Sequence, residues 1–189
     1  MQFELAPFAL DAGYGDGIVS LADMKEHLGV LSTDFDDLIG FYRDAAVDMV
    51  ERYCGIVLAP RTGIVWRGEV LPDLVDLGVW PVTGVTAIDY LDSTGTAATG
   101  TAGDWRVVRR DRITLKPSKV LPSDVAAAVE ITFDAGFASN ERPAALVQAV
   151  KLFAAHLFTN REAVSAGTMA GEIPLGFRQM CGAYRMPVI

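Results

Sequence analysis

The stretch AVEITFDAGFASNERPAALVQAVKLFAAHLFT, residues Ala128 to Thr159, changes its hydrophobic period halfway along. In its first part the apolar residues alternate. Val129, Ile131 and Phe133 point one way and Glu130 and Thr132 the other, as in a strand with one buried face. Beyond Pro143 the spacing becomes three and four. Leu146, Val150, Phe153 and Leu157, with Val147, Ala154 and Phe158 beside them, form a wide apolar stripe on a helix running to Thr159. Pro143 suits the first turn of that helix, where its missing N–H is not needed. A strand followed directly by a core-facing helix makes this an α+β chain.

The same two periods organise the rest. From Arg61 to Phe137 the segments TGIVWR, VTAIDYL, WRVV, RITLK and AVEITF are short and rich in β-branched and aromatic residues. They predict about six antiparallel strands in a small sheet or sandwich. DSTG at Asp92–Gly95 is a turn between two of them, and TGTAATGTAG, Thr94 to Gly103, reads as a mobile loop. Helices precede this region. Ser20 caps the first, with Asp23 three residues on, and Gly29 stops it. The second takes Thr33 as its cap and Asp34, Asp36 and Asp37 in its first turn, where carboxylates suit the helix dipole. Leu38, Tyr42, Ala45, Met49 and Tyr53 mark its apolar face, and Gly55 ends it. Residues 1–19, with Gly13, Gly15 and Gly17, read as an extended arm. The link SAGTMAG leads to a short tail helix around Gly176–Ala183. The expected organisation is one domain: arm 1–19, helical 20–60, β insert 61–137, helical segment and tail 138–189.

At 189 residues, 51% hydrophobic and 21% charged, the chain has enough material for a core without disulfides or metals. A net charge of −8 argues against nucleic-acid binding through a basic surface, though an acidic wall suits a passage to which DNA must not stick. Cys54 and Cys181 are far apart in sequence and form no CxxC pair, so the expectation is two buried, reduced thiols. MQFELAPFAL carries Glu4 and no basic start, unlike a secretory signal, and no apolar run reaches the ~18 residues of a membrane span. The expected setting is aqueous and reducing.

Catalytic signatures do not emerge. The chain has no GxSxG, GxxxxGK[ST] or HExxH, GYGDG at Gly13–Gly17 lacks the third glycine of a dinucleotide loop, and DFDDL lacks the oxygen ligand and glycine of a calcium loop. His27 and His156 have no His or Cys at metal-ligand spacing, so neither a metal nor a cofactor is expected. The cluster AAHLFTNREAV offers His156 no acid to orient it and no nucleophile to activate. Asn160, Arg161 and Glu162 fall at the helix C-terminus, where exposed carbonyls favour amides and cations. They read either as capping and intrachain ion pairing or as an intersubunit contact.

In order and spacing, several pieces together resemble the head–tail connector family of long-tailed phages, also called adaptor or head-completion proteins, in its longer branch with a β insert. The pieces are SLADMKEHLGV from Ser20, AAVDMVERYCG ending at Gly55, WPVTGVTAIDYLDSTG from Trp80, FDAGF at Phe133–Phe137, AAHLFTNREAV from Ala154, and IPLGFRQMCGAYR from Ile173 to Arg185. The arm at residues 1–19 is longer than the family pattern.

The resemblance implies a helical connector core with an inserted antiparallel sheet and no enzymatic activity. It implies a virion protein at the head–tail interface, assembled in the host cytoplasm and found in phages, prophages and gene transfer agents. There it forms a twelve-membered ring beneath the portal, prolongs the DNA channel without reading sequence, and docks the next neck or tail protein. Other neck components, a head-closure stopper or a tail terminator, are the alternative. On this reading Asn160, Arg161 and Glu162 belong to the subunit interface. Leu175, Gly176, Phe177, Tyr184 and Arg185 belong to portal docking, with Leu175 and Phe177 as apolar anchors, unless the tail folds onto its own domain.

Overall fold

Helix α1 (Leu21–Leu28) begins and ends where its side chains dictate. The Ser20 hydroxyl accepts from the Asp23 N–H at 3.1 Å and donates to the Asp23 carboxylate at 2.7 Å, while Gly29 adopts the left-handed conformation that stops the helix. These contacts come from a computed structural model, which describes residues 3–6, 13–109, 111–116, 119, 125–160 and 175–185. Within them lie helices α2 (Asp36–Cys54), α3 (Ala144–Thr159) and α4 (Leu175–Gly182). The strands are β1 (Phe3–Leu5), β2 (Arg61–Gly68), β3 (Leu74–Asp76), β4 (Val82–Asp92), β5 (Ala97–Gly100), β6 (Trp105–Arg109), β7 (Arg112–Leu115) and β8 (Val125–Ala135). The fold class is α+β, as expected. Contacts divide the chain into a β unit, Met1–Ala9 with Pro60–Phe137, and a helical unit, Leu10–Ala59 with Ala138–Ile189.

The β unit is antiparallel throughout, with one sheet ordered β1-β2-β8-β4-β5 and another ordered β3-β7-β6. The alternation on β8 is realised. Val129, Ile131 and Phe133 are fully buried, and Trp66, Ile131 and Ile88 lie side by side across β2, β8 and β4. Gly68 makes room for that row, since a Cβ there would stand 2.3 Å from the Trp66 ring. The DSTG turn is closed by Asp92. Its carboxylate accepts from the Thr94 hydroxyl at 2.6 Å and from the Thr94 and Thr96 N–H groups, bonds that hold its pKa below the ordinary value.

Two expectations fail here. The Thr94–Gly103 run is no loop: Ala97–Gly100 forms β5 against β4, followed by a single 3-10 turn at Ala102–Asp104. Small and β-branched residues fit a sheet edge, and composition alone hid the pairing. Nor is the arm wholly unpacked, because Phe3–Leu5 adds an edge strand to β2.

In the helical unit the expected register of α2 is off by one residue. Leu38, Tyr42, Ala45, Met49 and Tyr53 are only half-buried, and the core face is Ile39, Arg43, Ala46, Val47, Val50, Glu51 and Cys54. Two charged residues occupy that face. Arg43 reaches Asp16 at 2.6 Å and Asp44 at 2.9 Å. The Glu51 carboxylate accepts from the Tyr14 hydroxyl at 2.5 Å and the Leu58 N–H at 2.7 Å. Thr33 is not the cap of α2. Phe35 holds that position without a side-chain bond, and Asp34 precedes the helix, where its N–H and carboxylate both bond the Ser32 hydroxyl. Lys25 instead ties α1 to Asp36 of the first turn at 2.6 Å.

Next to Glu51 the chain leaves and re-enters the helical unit. The Tyr14 hydroxyl accepts from the Ala59 N–H at 3.1 Å. Arg142, just ahead of α3, donates from Nε to the Leu58 carbonyl at 2.7 Å and from Nη1 to the Gly17 and Ile18 carbonyls. Burial pulls its pKa below the ordinary guanidinium value, while the neighbouring Tyr14 and Glu51 oppose that pull. Replacing Glu51 by Ala leaves a buried N–H without its acceptor. We expect a loss of about 1–3 kcal/mol, read as a lower urea midpoint by circular dichroism; an unchanged midpoint would overturn the role assigned to Glu51.

Candidate assembly interface

Helix α3 carries its apolar stripe into the core up to Ala154 and then surfaces. Leu146, Ala149, Val150, Phe153 and Ala154 are buried, whereas Leu157 and Phe158 are half-buried and Thr159 and Asn160 are exposed. Asn160 is the cap of this end. Its backbone N–H and side-chain amide both donate to the His156 carbonyl, at 2.9 and 3.0 Å, and the amide lies 3.2 Å from the His156 ring nitrogen. His156 stacks on Phe153 at 6.3 Å, so its contacts are those of a helix end. Arg161 and Glu162 lie outside the described residues.

The end of α3 stands beside the start of α2. Phe158 meets Phe35 edge-to-face, with ring centroids 5.9 Å apart. In the same stretch of chain two more large apolar side chains are exposed, Leu31 at 97% and Phe41 at 68%. On α2 Phe41 falls in the outward line Asp37, Phe41, Asp44, Asp48, an aromatic ring set among carboxylates. The sequence reading missed this corner, although a phenylalanine on an otherwise acidic helical line was visible in the spacing. The corner adjoins Asn160, one of the three residues expected at a subunit contact.

The tail helix is packed. Phe177 is fully buried between Tyr53 at 5.5 Å and Phe153 at 5.2 Å, so it anchors α4 to its own unit and is not presented to a partner. Gly176 approaches α3 closely, where an added Cβ would come within 3.4 Å of Leu152. Tyr184 is half-buried, and Arg185 is exposed with its guanidinium 5.2 Å from the Tyr53 ring centre. Leu175 opens the helix. Cys181, buried on α4, meets Cys54 at the end of α2, whose sulfur lies 3.7 Å from the Cys181 carbonyl. The hydrogen bond between the two thiols pushes the Cys54 pKa up, with burial adding to it, and lowers that of Cys181.

Among the described residues no group of three His, Cys, Asp or Glu side chains is placed to hold a metal ion. Nor is any helix among them long and apolar enough to cross a membrane. A polar-lined cavity of about 220 Å³ in the β unit is bordered by Tyr90, Thr99, Asp104 and Trp105. Asp104 is taken up by Lys119 at 2.9 Å.

A family model described as phage gp6-like head–tail connector protein matches residues 18–77. No curated protein matches the chain. Three solved structures are similar over the whole of it, each 26% identical and covering 100% of this chain and 97% of the other. One is from the neck of an empty gene transfer agent (GTA) particle computed with C6 symmetry, with a TM-score of 0.73. Another is from the virion of the native GTA particle, at 0.72, and a third from the neck of the native particle computed with C12 symmetry, at 0.71.

Because Phe177 fills the space between α2 and α3, Phe177→Ala should cost about 3–5 kcal/mol. Chemical denaturation of the full chain measures this, and a cost below about 1 kcal/mol would mean that α4 is not anchored through its ring.

Proposed function

We infer that this protein is a head–tail connector of the phage and gene transfer agent type, a structural part of the particle neck that works as a ring-forming adaptor. The observation that carries the reading is the match along the entire chain to neck proteins of GTA particles. The family model adds the connector assignment over residues 18–77. We read the ring as dodecameric, set beneath the portal, with the next neck or tail protein docked on its far side. Virion residence after assembly in the host cytoplasm follows from that role.

The physical features fit a conduit. Twelve subunits multiply a net charge of −8, and an acidic ring weakens adhesion of the DNA passing through it. The side chains with the most constrained surroundings, Arg43, Glu51 and Arg142, are engaged in holding the helical unit together, which supports a structural, non-enzymatic role. The four helices among the described residues favour a connector over a stopper or tail terminator, which are expected to be β-rich.

In the ring, Asn160, Arg161 and Glu162 contribute to the subunit contact. Portal docking uses the outer side of the tail, from Leu175 and Gly176 to Tyr184 and Arg185, with Phe177 holding the helix in place from within. Arg161→Glu should therefore leave the monomer folded and block ring formation on the portal; intact rings would remove Arg161 from the interface. Electron microscopy of particles from a strain lacking the gene tests the whole reading. Tailless heads beside loose, normal tails are the expected result, and normal infectious particles would refute a neck role.

A further inference from the structure

We propose that the Leu31–Asp44 segment, with its exposed Leu31 and Phe41 among aspartates, receives the β6–β7 hairpin of a second copy of this chain. The proposal rests on the ring-forming reading above and names the two surfaces that meet.

The segment has two properties. Leu31 and Phe41 are the most exposed large apolar side chains among the described residues, at 97% and 68%. Their segment is negative: from Leu31 to Asp44 the sequence holds four aspartates against one arginine, and with Asp36 tied to Lys25 and Asp44 to Arg43, Asp34 and Asp37 remain outside the described ion pairs. A partner for such a surface needs apolar area flanked by cations.

The chain carries that complement in its β unit. Strand β6 is the edge of the β3-β7-β6 sheet. Val107 and Val108 are exposed on it, and Arg106 is exposed in the row that it shares with Thr114 and Leu74. From Arg106 to Lys119 the sequence has six basic residues against one acidic; Arg112 is paired with Asp76 and Asp111 and Lys119 with Asp104, which leaves Arg106 as the exposed cation on the strand itself. In a protein of net charge −8 this run is basic in sequence, and Arg106 stands with the exposed valines on a strand that has one neighbour among the described residues.

Charge selects the pairing. Either surface placed against its own copy would set like charges together, which disfavours a two-fold dimer. The acidic segment against the basic edge has no such penalty, and it joins different surfaces on each copy. A contact of that kind is head-to-tail, and repeated around a closing rotation it produces a ring. The match to neck chains in particles computed with C6 and C12 symmetry agrees with a cyclic arrangement.

Cross-linking tests this on the full chain. Phe41→Cys and Val108→Cys are made in separate chains, both at exposed positions, with the unaltered protein as control for the buried native thiols. On mixing under mild oxidation we expect a disulfide dimer joining the two variants, in excess of dimers of either alone. A chain with both substitutions should give a ladder of multimers. Charge exchange checks the same contact without cysteine: Asp37→Arg and Arg106→Asp should each weaken self-association in sedimentation about tenfold, and combining them should restore it. Equal or absent cross-linking in all mixtures, or charge changes without effect, would overturn the proposal. So would retention of a short DNA duplex that Arg106→Asp abolishes while no cross-link forms, which would make the basic edge a DNA contact. Neither result bears on the gene-deletion experiment, so tailless heads without this cross-link would leave the neck role standing and dismiss this interface alone.

Discussion

The helical unit depends on the carboxylate of Glu51. It stands on the core face of α2 and takes hydrogen bonds from Tyr14 and from the Leu58 backbone. The Tyr14 hydroxyl passes the constraint to Ala59, and Arg142 closes the arrangement through the carbonyls of Leu58, Gly17 and Ile18. Backbone groups of two segments that are neither helix nor strand, Gly17–Ile18 and Leu58–Ala59, thereby find partners, most of them away from water. Without those partners each buried N–H or carbonyl would carry a desolvation cost that packing does not recover. The positions of α2 and α3, and hence of every surface feature at their ends, follow from this polar centre.

That centre also explains what the sequence concealed. Periodicity located the helices and the alternating strand, because Ser20, Gly29 and Gly55 act through local geometry, and Val129, Ile131 and Phe133 have only one way to be buried. The register of α2 was out of reach. Arg43 and Glu51 interrupt the apolar pattern on the face that enters the core, and their partners, Asp16 and Tyr14, lie far back in the chain. Pairing of Ala97–Gly100 with β4 likewise depends on a neighbour and not on composition. At the candidate interface, Asn160 was legible as a helix terminus, whereas the adjoining corner required knowing that Phe158 returns to Phe35.

Tail and interface also divide labour differently from the sequence expectation. A buried Phe177 and a close approach at Gly176 make α4 part of the helical packing. Contacts made by its outer side then start from a fixed platform, and little conformational freedom has to be surrendered when a partner arrives. Phe41 likewise projects from a helix whose first turn is tied to α1 by the Lys25–Asp36 ion pair.

The seam at Leu58 and Arg142 has an evolutionary consequence. The chain departs at Ala59 and returns at Ala138, and the side chains that hold those two points together all belong to the helical frame. The bonds described at this seam come from Tyr14, Glu51 and Arg142, all of the helical frame. Insertions at such a point are the kind that folded domains tolerate best. Descendants of one ancestral frame are therefore free to lengthen, trim or exchange the intervening segment, fitting new neighbours while the frame itself is inherited intact.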